Sequence, residues 1–254
     1  MARFAVPLAR FAVPLALLAA WWAATASGWV KSYQFASPRD VAREVLDLAQ
    51  SGLLWRDLGA SVERVAIGFA IALVLALVLG SLAGGSRLAE RAIDPTLQGI
   101  RAVPSLAWVP LILLWLGIGE TAKIALVAIG AFFPVYVALV SGIRGVDRKL
   151  VEVGTIFGLS RLALIVRVLV PATLPQLLVG ARIGLTQAWL FLVAAELLAA
   201  TSGLGFLLTD GQQTSRTDEI LVAILLFAAC GKLSESLMRA LEKRLVGWAD
   251  TVPA

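Results

Sequence analysis

Histidine is absent from this chain of 254 residues, and cysteine occurs once, at Cys230. The first absence removes the commonest metal ligand and the commonest proton shuttle near neutral pH. The second excludes an intrachain disulfide. Charge is also scarce: Asp, Glu, Lys and Arg make up 15% of the residues, against roughly 25% in soluble domains. No stretch has the G-x-x-x-x-G-K-[ST] form that cradles nucleotide phosphates; "GTIFGLS" and "GSLAGGSR" lack both the spacing and the lysine. With no histidine, no nucleophile and base in a recognisable pair, and no phosphate loop, the chain is expected to be non-catalytic and to bind no metal or other cofactor.

What is abundant is apolar. Hydrophobic residues are 59% of the chain before its 22 glycines are counted, where soluble domains reach roughly 45–50% with glycine included. One soluble core cannot hide that excess, and the few charges cluster between apolar runs. The reading is an all-α, polytopic membrane protein. The net charge of +5 then marks the cytoplasmic side of a membrane rather than a nucleic-acid surface.

An apolar run of about 20 residues crosses the hydrocarbon as a helix, and about six windows qualify. They run from Leu8 to Gly28, Val65 to Gly85, Ala102 to Gly119, Thr121 to Ile143, Leu174 to Ala200 and Asp218 to Met238. The third is short and broken by Pro104 and Pro110; Pro134 and Pro175 sit inside the fourth and fifth. Packed neighbours re-satisfy the carbonyls that such prolines free, and kinks are expected.

Orientation follows from Lys and Arg in the connections. With the N-terminus inside, the inner segments hold Arg3, Arg10, Arg87, Arg91, Arg101, Arg144, Arg148, Lys149, Arg161, Arg167, Arg239, Lys243 and Arg244. The outer segments hold only Lys31, Arg39, Arg43, Arg56, Arg64, Lys123 and Arg216. Both termini are therefore expected in the cytoplasm of a multi-pass inner-membrane protein. The opening repeats ARFAVPL at Ala2 to Leu8 and Ala9 to Leu15, a local duplication without functional weight. A basic start, an apolar centre and "ATA" at Ala24 to Ala26 offer a cleavable signal peptide as the alternative.

The chain divides into 1–36 with the first span, an amphipathic stretch over 37–60, a core over 61–240 and a tail over 241–254. In the second piece Ser37 and Pro38 start a helix whose stripe is Val41, Val45, Leu46 and Leu48, against Arg39, Arg43, Glu44 and Asp47. It lies along the outer surface or stands as a solvated helix.

The loop over 144–175 contains "EVGTIFGLSRLALIVRVLVPATLP", Glu152 to Pro175. Asp147 to Phe157 reads as one helix, Gly158 suits the left-handed turn that ends it, and Ser160 caps a second helix that stops at Pro171. Such a hairpin shows a fixed knob to the cytosol, with Lys149 and Glu152 on one arm and Arg161 on the other. Gly154, Gly158 and Ser160 form a small-residue corner that another protein can approach closely. An amphipathic loop resting on headgroups is the bland alternative.

The spacing of Glu152, Gly158, Val168, Val170 and Pro171 resembles the EAA loop of ABC importer permeases: E-A-A, three residues, G, nine residues, I-x-L-P. Val153 and Gly154 replace the usual two alanines, and Gly154 loosens the first arm by about 1 kcal/mol relative to alanine. "GETAKIALVAIGAFFPVYVALVSGIRGVD", "VAAELLAATSGLGFLL" and "LFAACGKLSESLMRALEKRLVGW" extend the resemblance to the nitrate, taurine and aliphatic sulfonate permeases, most closely the last.

That resemblance implies a type I importer permease fold and a homodimer of permease chains in membrane lipid. It also implies two cytosolic ATPase subunits carrying ATP and magnesium, and a periplasmic or lipid-anchored binding protein. The ATPase-coupling residues it points to are Glu152, Val153, Gly154, Gly158, Leu159, Ser160, Arg161 and Pro171. Gly203 and Gly205 in "TSGLGFLL" fall in its outer gate region.

Within the fifth window stand Arg182, Gln187 and Glu196. Ionisable groups at membrane depth face a cavity or a partner. Arg182 is a candidate for pairing with an anionic substrate, or it snorkels to headgroups; Glu196 is a candidate for the outer gate or for a structural hydrogen bond. Lys232 and Glu235, three apart in the sixth window, suggest an ion pair. A gradient-driven secondary transporter is the competing class, which would need intramembrane carboxylates as ion sites.

Overall fold

The computed structural model describes residues 5–31, 34–199 and 201–247, with side chains from 12 onward apart from 105, 161, 162 and 199. The described residues form helices and short connections, in two compact units: Met1–Ala60 with Thr201–Ala228, and Ser61–Ala200 with Ala229–Ala254.

In the first unit, α1 (Ala5–Ala26) covers the first apolar window except its last two residues. The Trp21 indole donates to the Ala36 carbonyl at 3.0 Å and its ring meets Phe35 edge-on. α2 (Pro38–Gln50) opens with Ser37 accepting from the Asp40 N–H while the Asp40 carboxylate accepts from the Ser37 N–H, a reciprocal cap. Its buried face differs from expectation. Val41, Glu44 and Leu48 are buried and Leu46 is exposed, because at 100° per residue positions 41, 44, 45 and 48 share one face and 46 does not. Glu44 tolerates that place because Arg216 donates to it. Burial pushes its carboxyl above the usual range, with Arg216 pulling the other way. α10 (Leu204–Gln213) and the start of α11 (Thr217–Leu245) complete the unit. Gly211 lets the two helices close, since a Cβ there would lie 2.9 Å from Ile220.

The second unit is built on α6 (Glu120–Arg144), which carries an acid in its first turn and a base in its last, each complementing the helix dipole. Lipid tails are as apolar as leucine, so helices in a membrane associate through close packing. Small residues supply it. α3 (Leu53–Gly85), whose residues from Ser61 belong to this unit, places Gly68, Ala72, Ala76, Gly80 and Gly84 every fourth position. A Cβ on Gly68 would meet Val127 at 2.6 Å, and one on Gly80 would meet Leu139 at 2.9 Å. On the other side, α9 (Val170–Ala199) presents Gly180 to Ala138 of α6, and its Phe191 ring fills the space over Gly130. α6 and α9 remain α-helical through Pro134 and Pro175.

The third apolar window is not one helix. α4 (Arg87–Ala102) ends before it, Ser105–Trp108 form a 3₁₀ turn, and α5 (Val109–Leu116) is only 8 residues long. The direction turns by 82° between 87–102 and 106–116. Pro104 forces Val103 out of the helical region, to ψ 128°, and Pro110 starts α5 rather than kinking it. Among the described residues four helices are individually long and apolar enough to cross a membrane, 53–85, 120–144, 165–198 and 217–245, and the bent pair makes a fifth span if it is counted as one.

Candidate functional site

The hairpin after α6 forms as its caps direct. α7 (Arg148–Ile156) begins where the Asp147 carboxylate accepts from the Lys149 N–H at 2.9 Å. It ends in a Schellman turn: Gly158 has φ +71°, the Leu159 N–H donates to the Gly154 carbonyl at 3.0 Å, and the Gly158 N–H donates to Thr155 at 2.9 Å. Ser160 then accepts from the Ala163 N–H at 3.3 Å, capping α8 (Arg161–Leu164).

The second arm does not stop at Pro171. Residues Ile165–Leu169 adopt π-helical geometry, the Val170 N–H donates to the Ile165 carbonyl, and the chain runs straight into α9 with Pro171 in its first turn. The wide turn shifts the hydrogen-bond ladder, so the N–H that proline lacks is not missed. The hairpin is therefore continuous with a helix of 34 residues, 165–198.

The corner of the hairpin also differs from expectation. Gly154 is buried, and a Cβ there would meet Leu164 at 3.3 Å and Leu159 at 3.4 Å. It is where the arms pack together, so it is closed to a visitor. The open corner is Gly158, with free space around its Cβ position, together with Ser160. Glu152 and Val153 are exposed, and among the described residues Glu152 makes no ion pair. Leu159 is half-buried. The Arg161 side chain lies outside the described residues. Sequence reasoning overlooked Ile156 and Phe157, which are 83% and 80% exposed at the tip. An open apolar groove of about 650 Å³ runs between the arms, lined by Val153, Phe157, Val168 and Pro171 among others.

Of a second constellation the sequence marked only Glu196, as a candidate for a structural hydrogen bond. Arg64 of α3 donates from Nε and Nη2 to the two carboxylate oxygens of Glu120 at 2.6 and 2.8 Å, and from Nη1 to Glu196 Oε1 of α9 at 2.6 Å. The Ser61 hydroxyl donates to Glu196 at 2.8 Å, and Lys123 Nζ donates to Glu120 at 2.9 Å. Arg64, Lys123 and Glu196 are at most 3% exposed, while the Glu120 side chain stays 56% open. Beside this network Val109, Ile112, Ala122, Leu126 and Ala195 make a buried apolar core. Two cations meet two carboxylates, so the charges buried at Arg64, Lys123 and Glu196 are each paired, as burial requires.

Glu196 is thus bound into the tie between α3, α6 and α9. Arg182 is elsewhere, half-buried, with Nη1 3.5 Å from the Glu242 carboxylate of α11. The half-buried Gln187 stands 140° around α9 from Arg182, so Arg182, Gln187 and Glu196 do not converge. In the first unit Gly203, at φ +114°, caps α10 and donates its N–H at 3.0 Å to Asp57, which is fully buried. Gly205 is buried in the first turn of α10. Lys232 and Glu235 pair at 3.1 Å, with Arg239 joining them, on an exposed face of α11.

Residues 72–247 match the model of the family described as binding-protein-dependent transport system inner membrane component. The chain belongs to this family. It is a permease chain of a multi-pass inner-membrane type. A Bacillus subtilis protein named as an aliphatic sulfonates transport permease, SsuC, is 43% identical over 85% of this chain and 78% of its own length. The taurine transport system permease TauC of Escherichia coli is 36% identical over 85% and 80%. The nitrate import permease NrtB of Leptolyngbya laminosa is 34% identical over 77% and 70%. Among solved structures, an inward-facing form of the MetNI methionine ABC transporter aligns with TM-score 0.58, covering 77% of this chain and 95% of that one at 20% identity, which shows the fold.

Proposed function

We propose that this permease is the membrane-spanning half of an ATP-driven importer that moves a small anion inward by alternating access: an aliphatic sulfonate first, taurine or nitrate next. The observation that carries it is the hairpin of α7 and α8, closed by Gly158 and continuous through the π turn with α9. A stiff element seated in a cleft of a motor transmits displacement, where a floppy loop absorbs it. Glu152, Ile156 and Phe157 offer one charge and two apolar anchors at its tip.

In this reading two permease copies form the pathway, and two cytosolic ATPase subunits, carrying ATP and magnesium, grip the hairpins. An outer binding protein delivers the anion, and both termini lie inside. A gradient-driven transporter would need a carboxylate free to bind a proton or sodium. Glu196 is instead held by Arg64 and Ser61, and Glu235 by Lys232 and Arg239.

The test is purification of the tagged chain from native membranes with assay for a co-purifying ATPase, alongside uptake by Glu152→Lys. The ATPase is expected to accompany the chain. The variant is expected at wild-type abundance in the membrane with uptake reduced at least about tenfold, as for loss of one charge-assisted contact. Normal uptake at equal abundance would remove Glu152 from the docking surface.

A further inference from the structure

We propose that one strip of α11, formed by Lys232, Glu235, Ser236 and Arg239, lines the water-filled inner half of the passage between two permease copies. This rests on the permease reading and gives its passage a lining that Arg182, Gln187 and Glu196, which do not converge, fail to supply.

The helix over 217–245 is long and apolar enough to cross a membrane, and its last turn is basic, with Lys243 and Arg244. With those two at the inner headgroups, Lys232 stands about 16 Å deeper and Glu235 about 12 Å, in a hydrocarbon layer about 30 Å thick. That depth is beyond the reach of a lysine's four-carbon stem. Lys232 and Arg239 pair with Glu235 at 3.1 and 2.5 Å, yet their side chains are 68% and 55% exposed. An open ion pair against lipid tails is costly.

The exposed surface of this stretch is divided in two. Lys232, Glu235, Ser236 and Arg239 fall within about 100° of one another around the axis. Leu233, Leu237 and Leu241 are exposed as well, on a strip centred about 150° away. α9 holds a third side: Ser234 accepts from the Trp189 indole at 3.0 Å, and Glu242 lies 3.5 Å from Arg182. The leucine strip suits lipid tails, whereas the charged strip needs water or a polar partner.

Water fits better than a second copy pressed against it. Lys232 and Arg239 share the single Glu235 carboxylate, so each strip keeps one positive charge. Two such strips in dry contact about a two-fold axis would bring like charges together. Across a wet passage the same surplus is hydrated. The Ser236 hydroxyl, bonded to the Lys232 carbonyl at 2.8 Å, is small enough to exchange for a probe without disturbing the pair.

The test is thiol accessibility in inside-out vesicles carrying the full chain with Cys230→Ala, which leaves no other thiol. A charged methanethiosulfonate reagent is expected to modify Ser236→Cys at least about tenfold faster than Leu237→Cys, because only the thiolate reacts and apolar surroundings suppress it. In intact cells a membrane-permeant reagent of the same class is expected to block uptake by Ser236→Cys and to spare Leu237→Cys. Lys232→Cys and Leu233→Cys repeat the comparison one turn higher if Ser236→Cys does not reach the membrane. Equal rates on the two strips, or unaffected uptake once Ser236→Cys is fully modified, would overturn the assignment. So would a spontaneous disulfide between copies at Ser236→Cys without reaction, which would make the strip a dry contact.

The two claims fail separately. Equal labelling in a chain that still co-purifies an ATPase and supports uptake would sink the strip alone. Faster labelling of Ser236→Cys in a chain with neither ATPase nor uptake would sink the permease reading.

Discussion

Arg64 is held by acceptors 56 and 132 residues away in sequence, on α6 and α9. Removing it leaves Glu196 buried without its cation, a change that typically costs about 3–5 kcal/mol. Arg64→Met is therefore expected to lower the thermal stability of the detergent-solubilised chain sharply, and Arg64→Met with Glu196→Met to recover most of the loss. Recovery failing in the double variant would mean the pair does not act as one unit. Gly158→Ala tests the turn: with open space around the Cβ position, only the left-handed backbone resists it, at about 1–2 kcal/mol. It is expected to leave insertion intact and to reduce uptake, and unchanged uptake would make the turn dispensable.

The contrast between these residues shows what the sequence made legible. Asp147, Gly158 and Ser160 act on backbone groups a few positions away, so their spacing announced the hairpin. Arg64 and Lys123 looked like loop charges because the network they join is closed by Arg64 reaching from α3 to Glu120 of α6 and Glu196 of α9. Leu46 and Glu44 were exchanged for a similar reason, since Arg216, which makes Glu44 tolerable inside, is 172 residues distant.

Among the elements, the helix over 165–198 matters most, because it joins the hairpin to the packed spans without a hinge. Inserting two glycines after Leu169 is expected to leave α7 and α9 folded but to reduce uptake at least about tenfold, since glycine pairs soften helices. Uptake at the original level would show that stiffness there is not needed. The seam between α6 and α9 makes a complementary demand. A Cβ at Gly180 would fall 2.3 Å from that of Ala138, so Gly180→Val is expected to lower folded abundance, measured by size-exclusion of the solubilised chain. The continuity at Pro171 was not readable, because proline in sequence usually ends a helix and only the π turn cancels that rule. The break at Pro104 was readable as a broken window, but not as an 82° turn.

For the whole molecule, composition alone made the membrane class legible, since 59% hydrophobic residues leave no soluble alternative. Direction across the membrane rests on the Lys and Arg distribution and decides whether the hairpin can meet a motor at all. The most direct measurement is maleimide labelling of Phe157→Cys, which is exposed at the tip, in a Cys230→Ala background that leaves no other thiol. A membrane-impermeant reagent is expected to label inside-out vesicles and not intact cells, with protection when the ATPase is bound. Labelling of intact cells would contradict the proposed coupling, because no cytosolic motor could reach the hairpin.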